Sequence, residues 1–156
     1  CRMKTGVLFN DFTKNDKNYH IMKSLNDKVE NSTNEVCGFL LNVSPKVIQT
    51  NFAYVNVSDI SHFNGGLLIA TSLDTADCLR KTSVNAKKCF YLWNLEWLGR
   101  SFSFYGVYKL LSNPKIKTIV RSQLQADVIK NNFNLKVSAI NEGFNLEEIH
   151  EVCQRE

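Results

Sequence analysis

At 156 residues, 44% of them hydrophobic and 22% charged, with two prolines, the chain is the size of one domain with a sizeable core; this excludes two full catalytic domains, a collagen-like repeat and a disordered composition. Nineteen Lys and Arg against fifteen Asp and Glu leave a formal charge of +4, scattered in small clusters such as Lys87 with Lys88 and Lys115 with Lys117. A stripe dense enough to follow a phosphate backbone is lacking, which argues against direct nucleic-acid binding.

No apolar run approaches the roughly 18 to 20 residues of a membrane span, and the first residues carry no apolar signal core, so the expectation is a cytoplasmic protein with no membrane partner. Five cysteines, at 1, 37, 78, 89 and 153, form no CxxC and have no paired histidine spacing. No metal site is expected from them; they read as small buried hydrophobes in a reducing compartment. Met3 leads directly into the first strand, from which Cys1 and Arg2 are expected to be additions ahead of the natural start.

The first strand is Val7 to Phe9, extended back to Lys4, with Asn10 and Asp11 at its exit. A helix follows, with Met22, Leu25 and Val29 at helical spacing. No GxGxxG loop lies between them, so close approach of backbone to a pyrophosphate is not encoded; NAD or FAD is disfavoured and no cofactor is expected. Val36 to Val43 reads as a second buried strand broken by Ser44-Pro45, and Phe52 to Val57 alternates like a strand near an edge. His62, before an Asn-Gly-Gly turn, is of the residue type that serves as a general base but reads more simply as surface.

Leu67 to Ala70 is the fourth strand, followed by Thr71, Ser72 and Asp74. Thr71 with Asp74 resembles a capping pair for the next helix, whose N-terminus is also an anion site in the functional reading. Cys89 to Trp93, an unbroken apolar run, predicts a central strand covered on both faces, and it gives way to Asn94 and Glu96 with Trp97 beside them. Those polar groups would lie next to apolar surface able to stack on a sugar ring or base; as core residues the two tryptophans would instead only pack. Phe102 to Tyr108 crowds a helix with aromatics, a candidate face for pairing with a second copy.

Lys115 to Val120 is the sixth strand, running into Arg121 and Ser122. Ser122 with Gln125 predicts a cap for a helix with Leu124, Val128 and Ile129 on its apolar face, and Arg121 is a fork that clamps a carboxylate or phosphate, or else a surface salt bridge. Lys136 to Ile140 is the last strand, ending at Asn141 and Glu142, and Asn145 with Glu148 caps the final helix.

Strand and helix alternate, so the fold class is α/β: a single Rossmann-like domain over 1–156 with a mostly parallel sheet of about seven strands and helices on both faces. If the strands are parallel, Asn10, Asp11, Thr71, Ser72, Asn94, Glu96, Arg121, Ser122, Asn141 and Glu142 gather along one edge with Trp97 beside them, where open α/β sheets bind ligands; all but Asn141 are taken as site residues.

On YLWNLEWL at the fifth strand, IVRSQLQADVIKNNF at the sixth and AINEGFNLEEI at the close, the chain resembles the N-terminal, acceptor-side half of a GT-B type glycosyltransferase, in particular the small glycosyltransferase-like proteins of tailed phages of marine bacteria. The resemblance implies a domain that contacts a sugar acceptor while a second Rossmann-like domain holds most of the sugar nucleotide, and a host-cytoplasm location. In an inverting transfer a carboxylate deprotonates the acceptor hydroxyl, which makes Asp11 and Glu96 the catalytic candidates and the other eight residues ligand-binding ones. The alternative is a non-catalytic module for a nucleotide, a sugar or a protein partner, since half of a two-domain enzyme keeps a cleft wall without a closed, dry site.

Overall fold

The computed structural model describes residues 4–9, 16–31, 35–41, 53–63, 65–93, 104–141 and 146–154. Seven strands, β1 (Lys4–Phe9), β2 (Glu35–Leu40), β3 (Ala53–Asn56), β4 (Leu67–Ala70), β5 (Lys87–Leu92), β6 (Ile116–Val120) and β7 (Ala139–Ile140), form one sheet in the order β3-β2-β1-β4-β5-β6-β7. Every neighbouring pair is parallel, as the alternation of strands and helices implied.

Parallel strands need crossover connections, and here the helices cover both faces. Along each strand, side chains alternate between two cores. On one side Leu8, Leu68, Ala70, Phe90, Leu92 and Val120 pack with helices α2 (Leu73–Lys81), α3 (Phe104–Leu111) and α4 (Gln123–Phe133). On the other, Val7, Phe9, Ile69, Cys89, Tyr91 and Ile119 pack with α1 (Asp16–Asn31) and α5 (Leu146–Gln154). Burial on both faces is why LLIA and CFYL are continuous apolar runs without a period of two.

Each helix turns an apolar stripe inward: Ile21, Met22 and Leu25 from α1, Leu73, Ala76 and Leu79 from α2, Val107, Leu110 and Leu111 from α3. On α4 the stripe is Ile129 and Phe133, with Val128 half-buried, whereas Leu124, expected on that face, is 71% exposed. Leu124 lies in the first turn and faces solvent. A 3-10 segment, Val57–His62, follows β3 and seats Ile60 and Phe63 against the first core, a feature without a signal in the sequence pattern.

β3 at the sheet edge agrees with its alternating pattern. β7 is only two residues long, against the five expected: Ala139 and Ile140 pair with Ile119 and Val120, and beyond them, among the described residues, only the Ser138 and Asn141 amides are bonded to β6. No described helix is long and apolar enough to cross a membrane.

Candidate functional site

The strand order reverses between β1 and β4, because the chain grows outward from β1 through β2 and β3 and then returns to lay β4 on its other side. In open α/β sheets ligands sit outside the carboxyl ends of the strands at that point. Thr71 and Ser72 stand there, both buried. The Thr71 hydroxyl donates to the Leu8 carbonyl at 2.6 Å, linking the exits of β4 and β1.

The cap of α2 is a reciprocal box between Ser72 and Thr75, one residue later than the Thr71–Asp74 pair expected. Thr75 Oγ1 accepts from the amides of Thr71 (3.0 Å) and Ser72 (2.8 Å), and Ser72 Oγ accepts from the Thr75 amide (3.2 Å). The hydroxyl of Thr75 reaches both of these amides, while Asp74, in the first turn, is exposed. Both sequence-selected hydroxyls are therefore committed inside the fold.

Beyond β4, at the exits of β5 and β6, the rim is different. Trp93 follows β5 and is 9% exposed; Arg121 follows β6, with its guanidinium carbon 3.7 Å from the Trp93 ring centroid. At that separation the planar fork lies against the indole, a cation–π contact. Gln125 holds the pair in register: its Nε2 donates to the Trp93 carbonyl at 2.9 Å and its Oε1 accepts from the Arg121 amide at 2.8 Å. Ser122 caps α4, accepting from the Gln125 amide at 3.3 Å, so the predicted Ser122–Gln125 signal does form, and Gln125 also ties two strand exits together.

His20 of α1 reaches the same tryptophan, ring centroids 5.7 Å apart, and Tyr19 meets His20 edge-on at 6.0 Å. Behind them Tyr91 donates its hydroxyl to the Asn141 backbone carbonyl at 2.6 Å, and the Asn141 side-chain Nδ2 donates to the Glu148 carboxylate at 3.1 Å. A row Tyr19, His20, Trp93, Arg121 thus runs along the strand exits. Tyr19, His20 and Gln125 were missed as rim residues by sequence reasoning; the signal that finds them is topological, since the first turns of α1 and α4 lie where β1 and β6 end.

Asn10, Asp11, Asn94, Glu96, Trp97 and Glu142 lie outside the described residues. Phe9, Trp93 and Asn141, which directly precede the segments carrying them, are at this rim. His62 is at the other edge, exposed beside a cavity of about 450 Å³ whose lining includes Lys4, Thr5, Val36 and Cys37 from the strand starts.

Among the described residues no cluster of three or more His, Cys, Asp and Glu could hold a metal ion. Cys89 is fully buried mid-strand, and its hydrogen bond with Cys153, reinforced by burial, pushes its thiol well above the usual range, so it is a neutral packing group rather than a nucleophile. Tyr105 and Tyr108 of α3 are exposed, at 67% and 42%, with Lys109 over the Tyr105 ring. What the described rim supplies is a stacking surface and a cation on a rigid sheet edge. No protein-family model, curated protein or solved structure matches the chain, so its place rests on this α/β fold and on the chemistry of the rim.

Proposed function

We propose that this chain is a glycosyltransferase-like domain that recognises a sugar or sugar nucleotide along the strand-exit rim, as the acceptor-side half of a GT-B type enzyme does. The observation that carries the reading is the direction of the sheet: seven parallel strands bring their polar exits to one edge. There, Arg121, lying on the buried Trp93 ring, offers a cation, and the exposed Tyr19 and His20 offer ring surface beside it. A sugar's C–H face suits an aromatic ring, and its hydroxyls suit the amides and carboxylates of the adjoining connections. In a transfer step Asp11 or Glu96 would take the acceptor hydroxyl proton, with the donor held by a second Rossmann-like domain.

Non-catalytic binding is the second reading. It is favoured by the commitment of the Ser72 hydroxyl to the α2 cap and of the Thr71 hydroxyl to the Leu8 carbonyl, which leaves the described part of the rim equipped for binding rather than for proton transfer.

Titration with UDP-glucose and other UDP-sugars, following the fluorescence of Trp93 and Trp97, tests both. A saturable change with a dissociation constant of about 1 μM to 1 mM is expected, the span of ordinary enzyme substrates. UDP release in the presence of glycan or glucosylatable DNA acceptors selects the transferase, and binding without release selects the module. Silence from every sugar and nucleotide, with the protein folded, overturns both.

A further inference from the structure

We infer that Arg121 is the anchor of an anion subsite that takes a phosphoryl group, from a nucleotide or from a sugar phosphate. This rests on the reading above that the rim binds a ligand. Arginine side chains at a strand exit are ordinarily neutralised by a carboxylate or by main-chain carbonyls. Here the guanidinium has neither: among the described residues it makes no ion pair and no side-chain hydrogen bond, and its Nε is buried without a partner. The side chain as a whole is half-buried, so while Nε is sealed from solvent the terminal N–H groups are left without an acceptor among the described residues and open to an anion.

The fork is also pre-set. Lying on Trp93 fixes its plane, and Gln125, bonded to both residues' main chains, fixes the ring beneath it, so little side-chain freedom remains to be lost when an oxyanion arrives. With one flat side against the indole, the N–H groups point outward from the fork's edge. α4 begins directly after Ser122, so the positive end of its dipole lies beside the fork, and its first turn carries no acidic residue. α2, by contrast, carries Asp74 in its first turn.

A tetrahedral phosphoryl group has oxygens both in the fork's plane and out of it, so it can meet the guanidinium and the helix end together. A planar carboxylate meets one of them. Trp93 is covered by Arg121, so the ring supports the cation, and a base or sugar attached to the phosphate would reach the exposed Tyr19 and His20 side of the rim.

The test is calorimetry on the full chain at low salt with UMP, glucose 1-phosphate, uridine, glucose and glucuronate, on wild type, R121Q and R121K, with circular dichroism as the check on folding. UMP or glucose 1-phosphate should bind more tightly than its neutral counterpart. R121Q should weaken the phosphate compounds by about ten- to a hundred-fold, the usual worth of a charged hydrogen-bonded pair, while uridine and glucose are unchanged. R121K, which keeps the charge and loses the planar fork, should fall between, and if R121Q does not fold R121K decides alone.

Preference for UMP identifies a nucleotide as the source; preference for glucose 1-phosphate identifies a sugar phosphate. Phosphate compounds bound no better than uridine and glucose, equal phosphate affinity in the Arg121 variants, or tighter binding of glucuronate than of glucose 1-phosphate each overturn the subsite and leave the rim reading standing. No binding of any compound overturns both.

Discussion

Gly65 and Gly66 enter β4 with φ of 75° and 76°, the left-handed region where a side chain costs about 1–2 kcal/mol. Only one of them lies against the fold. A Cβ on Gly65 meets nothing within 4 Å, whereas on Gly66 it would run into the main chain of Lys4 at the start of β1. Urea unfolding should therefore give a loss of about 1 kcal/mol for G65A and about 2–4 kcal/mol for G66A, since backbone strain and overpacking add at the second position; equal losses would mean that β1 yields at no cost. Asn-Gly-Gly was legible in the sequence as a turn because glycine pairs advertise positive φ, and which glycine is pressed against β1 was not, since Lys4 is sixty-two residues away. The same distance hid the candidate site. Arg121 and Trp93 each stood out as residues at a strand exit, but that one lies on the other, with His20 arriving from α1, depends on neighbours in space that periodicity does not encode.

At the scale of single elements, the capping of α2 separates a local role from a functional one. Thr75 Oγ1 serves two buried amides and Ser72 Oγ one. S72A should cost about 1 kcal/mol, as N-cap losses do, and T75V, which keeps the shape and removes the acceptor shared by two amides, about 2–3 kcal/mol. Chemical unfolding of the two variants orders them, and the reverse order would place the cap on Ser72 alone. Helices and strands were legible as elements because burial on two faces writes long apolar runs into β4 and β5 and a stripe into α1. Their ends were less so. The Ser122–Gln125 cap was read at the right residues, yet the α2 cap was displaced by one, because Thr71, Ser72, Asp74 and Thr75 are all capping types and only the geometry of the β4 exit chooses among them. β7 is shorter than its pattern suggests: the alternation runs back to Lys136, while the bonding to β6 begins at the Ser138 amide.

For the molecule as a whole, the two cores share one sheet, so neither helix layer can leave without exposing strands that the other layer also needs. Cys89 sits at the centre of this arrangement, fully buried on β5 between β4 and β6 and packed towards α1 and α5. Cys78, on the outer part of α2, is half-buried. If the sheet opens only as a unit, a thiol reagent reaches Cys89 solely through global unfolding, while Cys78 reacts from the native state after small motions of one helix. With the stability of about 5–15 kcal/mol usual for a folded domain, labelling of Cys89 should be slowed by at least about a thousand-fold relative to the same thiol in denaturant, and that of Cys78 far less. Because both native thiols are pushed upward, Cys89 by its bond to Cys153 and by burial, Cys78 by burial and then by Asp77, each rate is compared with its own unfolded rate at one pH, and mass mapping of the labelled peptides separates the sites. Dependence of the Cys89 rate on denaturant should match the equilibrium unfolding slope. A much shallower dependence would show that α5 or α1 detaches alone, and the rim that rests on β5 would then be built on a sheet that opens in parts.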